Sequence, residues 1–138
     1  MTQLTCKITI HASADTIWQV IGDFGAAHRY LSGVVACALT GEGVGALRTL
    51  TSPDGSTIVE RLETWDENAR QLSYLLLTDT PFRNCRTSMS VRALDADRTE
   101  LEWSATFEPD GLPASEAVEM LEGALSANCL ALKQFMEH

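Results

Sequence analysis

Arg48 and Glu60 are the residues of this chain best suited to chemistry, and their spacing brings them together. Read as strands, residues 46–51 and 57–64 alternate so that both charges fall on the face that carries Leu50, Ile58 and Leu62. A charge turned toward an apolar face is paired or surrounds a ligand, because bare burial is too costly. An inward Arg48–Glu60 pair could hydrogen-bond itself and the polar head of a ligand. It could equally be a structural ion pair that fixes strand register. If burial raises its pKa, Glu60 is also a candidate general acid or base.

The same alternation picks out further lining groups. Tyr74 shares a face with Leu72 and Leu76, and Thr87 with Cys85, Met89 and Val91. Trp103 shares one with Leu101, Ala105 and Phe107. Asn128 interrupts the apolar stripe of a C-terminal helix that also carries Leu121 and Leu125, and a polar group there needs a partner. The expected ligand-lining set is therefore Arg48, Glu60, Tyr74, Thr87, Trp103, Leu121, Leu125 and Asn128. His28, near the expected pocket mouth, is a second acid–base candidate beside Glu60. Nucleophilic triads have no support, since no Ser-His-Asp or Cys-His order is evident. The run Gly41–Gly45 lacks a G-K-[ST] ending and precedes a strand, which argues against a phosphate loop. Cys6, Cys37, Cys85 and Cys129 form no C-x-x-C pair, so no metal and no cofactor are expected.

The elements that must position these groups can be read in order. Residues 4–10 alternate as a half-buried strand. Ser13 sits at an N-cap position with Asp15 in the first turn, and Ile17, Trp18, Ile21 and Phe24 stripe a short helix. A second short helix is expected around 26–31. Strands follow at 34–40, 46–51, 57–65, 71–78, 84–94 and 99–108. Turn signals such as Pro53-Asp54-Gly55 and Asp66-Glu67-Asn68 separate them. From Pro113 to about Glu137 an apolar stripe of Ala117, Met120, Leu121, Ala124, Leu125, Leu132, Phe135 and Met136 predicts one long helix. Hairpin-length connections require an antiparallel sheet, and the long helix must cover its apolar face. The fold class is α+β: a curved seven-stranded antiparallel sheet wrapped around a long C-terminal helix, with two short helices after the first strand. The space between sheet and helix is the natural pocket.

At 138 residues the chain is one domain, residues 1–138. Ten basic against nineteen acidic residues give a formal charge of −9, which argues against nucleic acid and anionic membranes as partners. Arg83, Arg86 and Arg92 are read as solvated arginines on an outer strand face. No apolar stretch reaches membrane-spanning length, so no membrane insertion is expected. The start MTQLTCKITIHAS lacks a signal-peptide core, and the thiols suit a reducing compartment. A cytoplasmic location is therefore expected. A homodimer is left open.

Several short motifs, in order, carry a family resemblance. They are Ala12-Ser13-Ala14-Asp15-Thr16-Ile17-Trp18, Asp23-Phe24, Gly43-Val44-Gly45-Ala46-Leu47-Arg48, Glu60-Arg61-Leu62, Trp65-Asp66, and a last strand ending in Pro109. Over nearly the whole chain this resembles the Bet v 1-like or START-like (SRPBCC) superfamily, the polyketide cyclase/dehydratase and lipid transport group. The resemblance implies a helix-grip fold and a hydrophobic small-molecule ligand. It also implies inward positions for Arg48, Glu60 and Asn128, and a lid at residues 52–56 that could equally be an ordinary hairpin turn. It would turn Glu102 inward, whereas alternation turns Trp103 inward. The cavity lysine, gate loop and latch of the plant hormone receptors in this superfamily have no counterpart here, so hormone recognition is not implied. The expected function is binding of a hydrophobic small molecule with a polar group. The alternatives are a polyketide cyclase/dehydratase-like enzyme and a non-catalytic protein-interaction module.

Overall fold

The computed structural model describes residues 1–78 and 80–138. The chain opens with β1 (Thr2–Ile10), α1 (Ala14–Gly22) and a 3-10 helix (Phe24–Arg29). Six strands follow: β2 (Ala36–Thr40), β3 (Leu47–Thr51), β4 (Thr57–Asp66), β5 (Gln71–Leu76), β6 (Phe82–Ala93) and β7 (Thr99–Pro109). The last element is α2 (Ala114–Glu137). All seven strands form one antiparallel sheet in the order β1-β7-β6-β5-β4-β3-β2. The sheet curves around α2, the helix-grip arrangement.

Local chemistry explains each joint. The Ser13 side chain accepts from the Thr16 amide at 3.2 Å and caps α1, whose Ala14, Ile17, Trp18 and Ile21 turn into the core. The link from β2 to β3 uses positive φ at Gly41, Gly43 and Gly45, which makes it a turn. Residues 52–56 close the β3–β4 hairpin on themselves. The Ser52 amide donates to the Ser56 carbonyl and the Gly55 amide to the Ser52 carbonyl. Two bonds pin the far end of α2 to β1 and its exit. Lys133 Nζ donates to the Thr9 carbonyl at 2.7 Å, and Glu137 accepts from the His11 amide at 2.8 Å.

Several expectations are corrected. β2 starts at Ala36, and β5 ends at Leu76. β6 starts earlier than expected, at Phe82, because a bulge between Arg83 and Arg86 changes the strand's phase. Asn84 there adopts φ +53. Along β7 no bulge intervenes at Glu102. Leu101, Trp103, Ala105 and Phe107 are all buried, and Glu102 pairs outward between Lys7 and Ser90. Met120 is 54% exposed and Phe135 is also exposed, so neither fills the interior. The buried face of α2 is Ala117, Leu125, Cys129 and Leu132. Arg83, Arg86 and Arg92 do lie on the outer face, but each meets a glutamate there: Glu108, Glu63 and Glu100.

The interior holds two apolar clusters. The larger joins α1, the 3-10 helix and the sheet around Trp103 and the second half of α2. The smaller joins Cys85, Phe107 and Ala117, with Leu76, Phe82 and Leu121 packed on it.

Candidate functional site

A pocket of about 240 Å³ lies at the seam between these clusters, beside α2. Ile58, Tyr74, Leu76, Trp103 and Ala105 form its sheet wall, and Leu121, Ala124, Leu125 and Asn128 form its helix wall. Thr80, Phe82, Cys85 and Thr87 line the side toward β6. Among the described residues, Glu60 is the charged one on the lining. Of the eight residues expected to contact a ligand, seven line this one space: Glu60, Tyr74, Thr87, Trp103, Leu121, Leu125 and Asn128.

The eighth, Arg48, sits behind the wall. It faces Glu60 directly across β3 and β4, and its side chain is only 2% exposed against 13% for Glu60. Arg48 Nε and Nη2 both donate to Glu60 Oε1, at 2.9 and 2.8 Å. Nη1 donates to the Phe24 carbonyl at 3.3 Å. The guanidinium carbon lies 4.1 Å from the Phe24 ring centre and 4.6 Å from that of Tyr74, so two aromatic faces hold the cation. Arg48 thus aims Glu60 rather than touching the cavity. The arginine is pushed toward its charged form by the Glu60 carboxylate and the nearby tyrosines, against the desolvation that opposes it.

Both Arg48 contacts fall on Oε1. Every side-chain nitrogen or oxygen sealed from solvent has a partner among the described residues, so Oε2 is left to the cavity. Burial pushes the Glu60 carboxyl above its ordinary pKa, while Arg48 pulls it back. Tyr74 accepts from Trp103 Nε1 at 3.3 Å, which leaves its own O–H to donate. Burial, then the Glu60 charge, raises the Tyr74 hydroxyl so that it stays protonated at any physiological pH. Asn128 Oδ1 accepts from the Ser32 amide at 2.9 Å, and its NH₂ keeps its donors. Burial raises the Cys85 thiol to about 11, which makes it a poor nucleophile. The site therefore presents one anionic acceptor and several neutral donors on apolar walls.

His28 lies elsewhere. It is exposed on the 3-10 helix and absent from the cavity lining, so the geometry gives it no part in this site. Trp18 packs in the core against Trp65 and donates from Nε1 to Glu67 at 2.7 Å. One contributor escaped the sequence reading: Tyr30 sits at the exit of the 3-10 helix, where no two- or 3.6-residue period marks an inward side chain. Phe24, expected on the stripe of the first helix, is buried as the first residue of the 3-10 helix instead. Tyr30 is buried beside Trp103 and is raised by burial, with the Arg48 charge opposing. A cluster of His, Cys, Asp or Glu fit to hold a metal is absent among the described residues. No helix among the described residues is long and apolar enough to cross a membrane.

Residues 1–137 match the family model described as "Polyketide cyclase / dehydrase and lipid transport". Similar solved structures include the protein XoxI from Bacillus cereus, at 30% identity and TM-score 0.90, covering 99% of this chain and 96% of that one. A START superfamily protein from Mycobacterium smegmatis aligns at 17% identity and TM-score 0.85, covering 98% and 97%. The ZhuI aromatase/cyclase from Streptomyces sp. R1128 aligns at 22% identity and TM-score 0.79, covering 98% and 90%. At such identities the last two speak for the fold alone. No curated protein sequence matches the chain.

Proposed function

Given that this chain belongs to the polyketide cyclase/dehydrase and lipid transport family, we propose that it is a single-domain binder of a hydrophobic small molecule that bears a polar group. The ligand would occupy the cavity between the sheet and α2. The observation that carries this reading is the convergence of Glu60, Tyr74 and Asn128 on one apolar space. Apolar walls would supply most of the affinity, and those three groups would set orientation. Native mass spectrometry of freshly purified protein, followed by denaturing extraction, tests it. A discrete small-molecule adduct is expected. A clean apo mass, together with no thermal shift from any apolar ligand at millimolar concentration, would refute it.

A second reading is supported by the buried carboxyl of Glu60 beside the Tyr74 hydroxyl. An acid with a raised pKa and a neutral phenol are parts from which a cyclase- or dehydratase-like proton transfer can be built. Here Glu60→Gln should abolish turnover of a verified substrate while weakening its binding only severalfold. Full activity in that variant would end the catalytic reading.

A further inference from the structure

We infer that the ligand is an uncharged hydroxyl compound of at most two fused rings, whose O–H donates to Glu60 Oε2. This rests on the binding reading above and narrows it by size and by hydrogen-bonding sense.

Size comes first. An apolar cavity of about 150 Å³ suffices for benzene, whereas drug-sized pockets begin near about 300 Å³. At about 240 Å³ the space here exceeds one ring and falls short of an extended chain or a larger ring system. Trp103 closes its floor, since it is 1% exposed and held by its bond to Tyr74. Leu121 is the half-buried side chain of the opposite wall, and it sets the depth on that side.

Hydrogen-bonding sense follows from which atoms are spent. Arg48 neutralises Glu60 through Oε1 and lies behind the lining, so its charge is not offered to a ligand. A carboxylate entering the cavity would meet Oε2, a like charge, with no free cation among the described lining residues to answer it. An ammonium would leave two cations against one anion in a largely buried site. A neutral O–H satisfies Oε2 without adding charge, and its oxygen can then accept from the Tyr74 hydroxyl. An apolar molecule without a donor would leave Oε2 desolvated and unpaired.

The test is calorimetric titration of the whole chain with five probes. 4-Methylphenol, toluene and 4-methylbenzoate vary the polar group on one ring. 2-Naphthol and 9-phenanthrol extend the ring system at constant hydroxyl. We expect 4-methylphenol to bind at least about tenfold more tightly than toluene or 4-methylbenzoate, as a hydrogen bond to a charged group allows. Glu60→Gln should shrink that preference severalfold. 2-Naphthol should be the tightest of the hydroxyl series, and 9-phenanthrol should bind weakly until Leu121→Ala deepens the wall. Toluene or 4-methylbenzoate binding as tightly as 4-methylphenol overturns the donor assignment. 9-Phenanthrol outbinding 2-naphthol in the unaltered chain overturns the size limit. If no probe binds while native mass spectrometry shows an adduct, this inference fails and the binding reading survives. If neither shows a ligand, both fail.

Discussion

Arg48 is a cation held by an anion, a carbonyl and two aromatic faces, and its removal should be among the most damaging single changes in the molecule. Arg48→Ala leaves the Glu60 carboxylate buried without its counter-charge, a loss expected at about 3–5 kcal/mol in urea unfolding. The double variant Arg48→Met/Glu60→Gln, which removes both charges, should recover much of that. If the single and double variants melt alike, the pair is not coupled as described. Cys85 gives the pH counterpart. Its thiol is raised to about 11 in the fold, so the unfolded chain releases that proton first as the pH rises. Its contribution to stability is thus complete below the ordinary thiol range and is lost as the pH climbs toward about 11. Cys85→Ala should flatten the alkaline fall in melting temperature, and an unchanged slope would remove Cys85 as its cause.

Between elements, close approach limits what can change. The 3-10 helix runs so near β2 that a Cβ on Gly25 would lie 2.8 Å from the Leu39 Cβ. Gly25→Ala should cost about 1–3 kcal/mol by overpacking. Leu39→Gly in the same chain, which removes that Cβ, should return part of it, and thermal melts of the two single variants and the double decide. Strand alternation made Arg48, Glu60, Tyr74, Thr87 and Trp103 legible in the sequence because the period of two survives wherever pairing is regular. It fails at bulges. Phe82 is even-numbered and Cys85 odd, yet both reach the cavity because the irregularity between Arg83 and Arg86 reverses the phase. It has no purchase on Tyr30, which sits after a 3-10 helix. On α2 the helical period marks a stripe but not its edges: Met120, expected on it, lies outside, and Cys129, the buried residue next to Asn128, belongs to it.

Taken whole, the molecule is a sheet carrying two apolar clusters, and the pocket at their seam is where Glu60, Tyr74 and Asn128 meet. The larger cluster fixes α2 from Leu125 to Leu132, and the smaller fixes Ala117. Nothing in the composition announces that division, since both cores draw on the same apolar residue types. The net charge of −9 is spread over the outside, where the arginines of β6 meet glutamates across the strands. Such exposed pairs contribute little each, so stability should depend only weakly on salt. The two ends of α2 are treated differently. The final turn is tied by Lys133 and Glu137, whereas the first has Pro113 at its cap with no side-chain bond to the free amides. The helix is thus hydrogen-bonded to the sheet side at its far end, while its first turn rests on packing alone. Its amide protons should exchange with deuterium fastest near Ala114 and slowest beyond Leu125, and an occupant of the cavity should slow the fast end most. That would make the opening of the first turns the door through which the interior fills and empties.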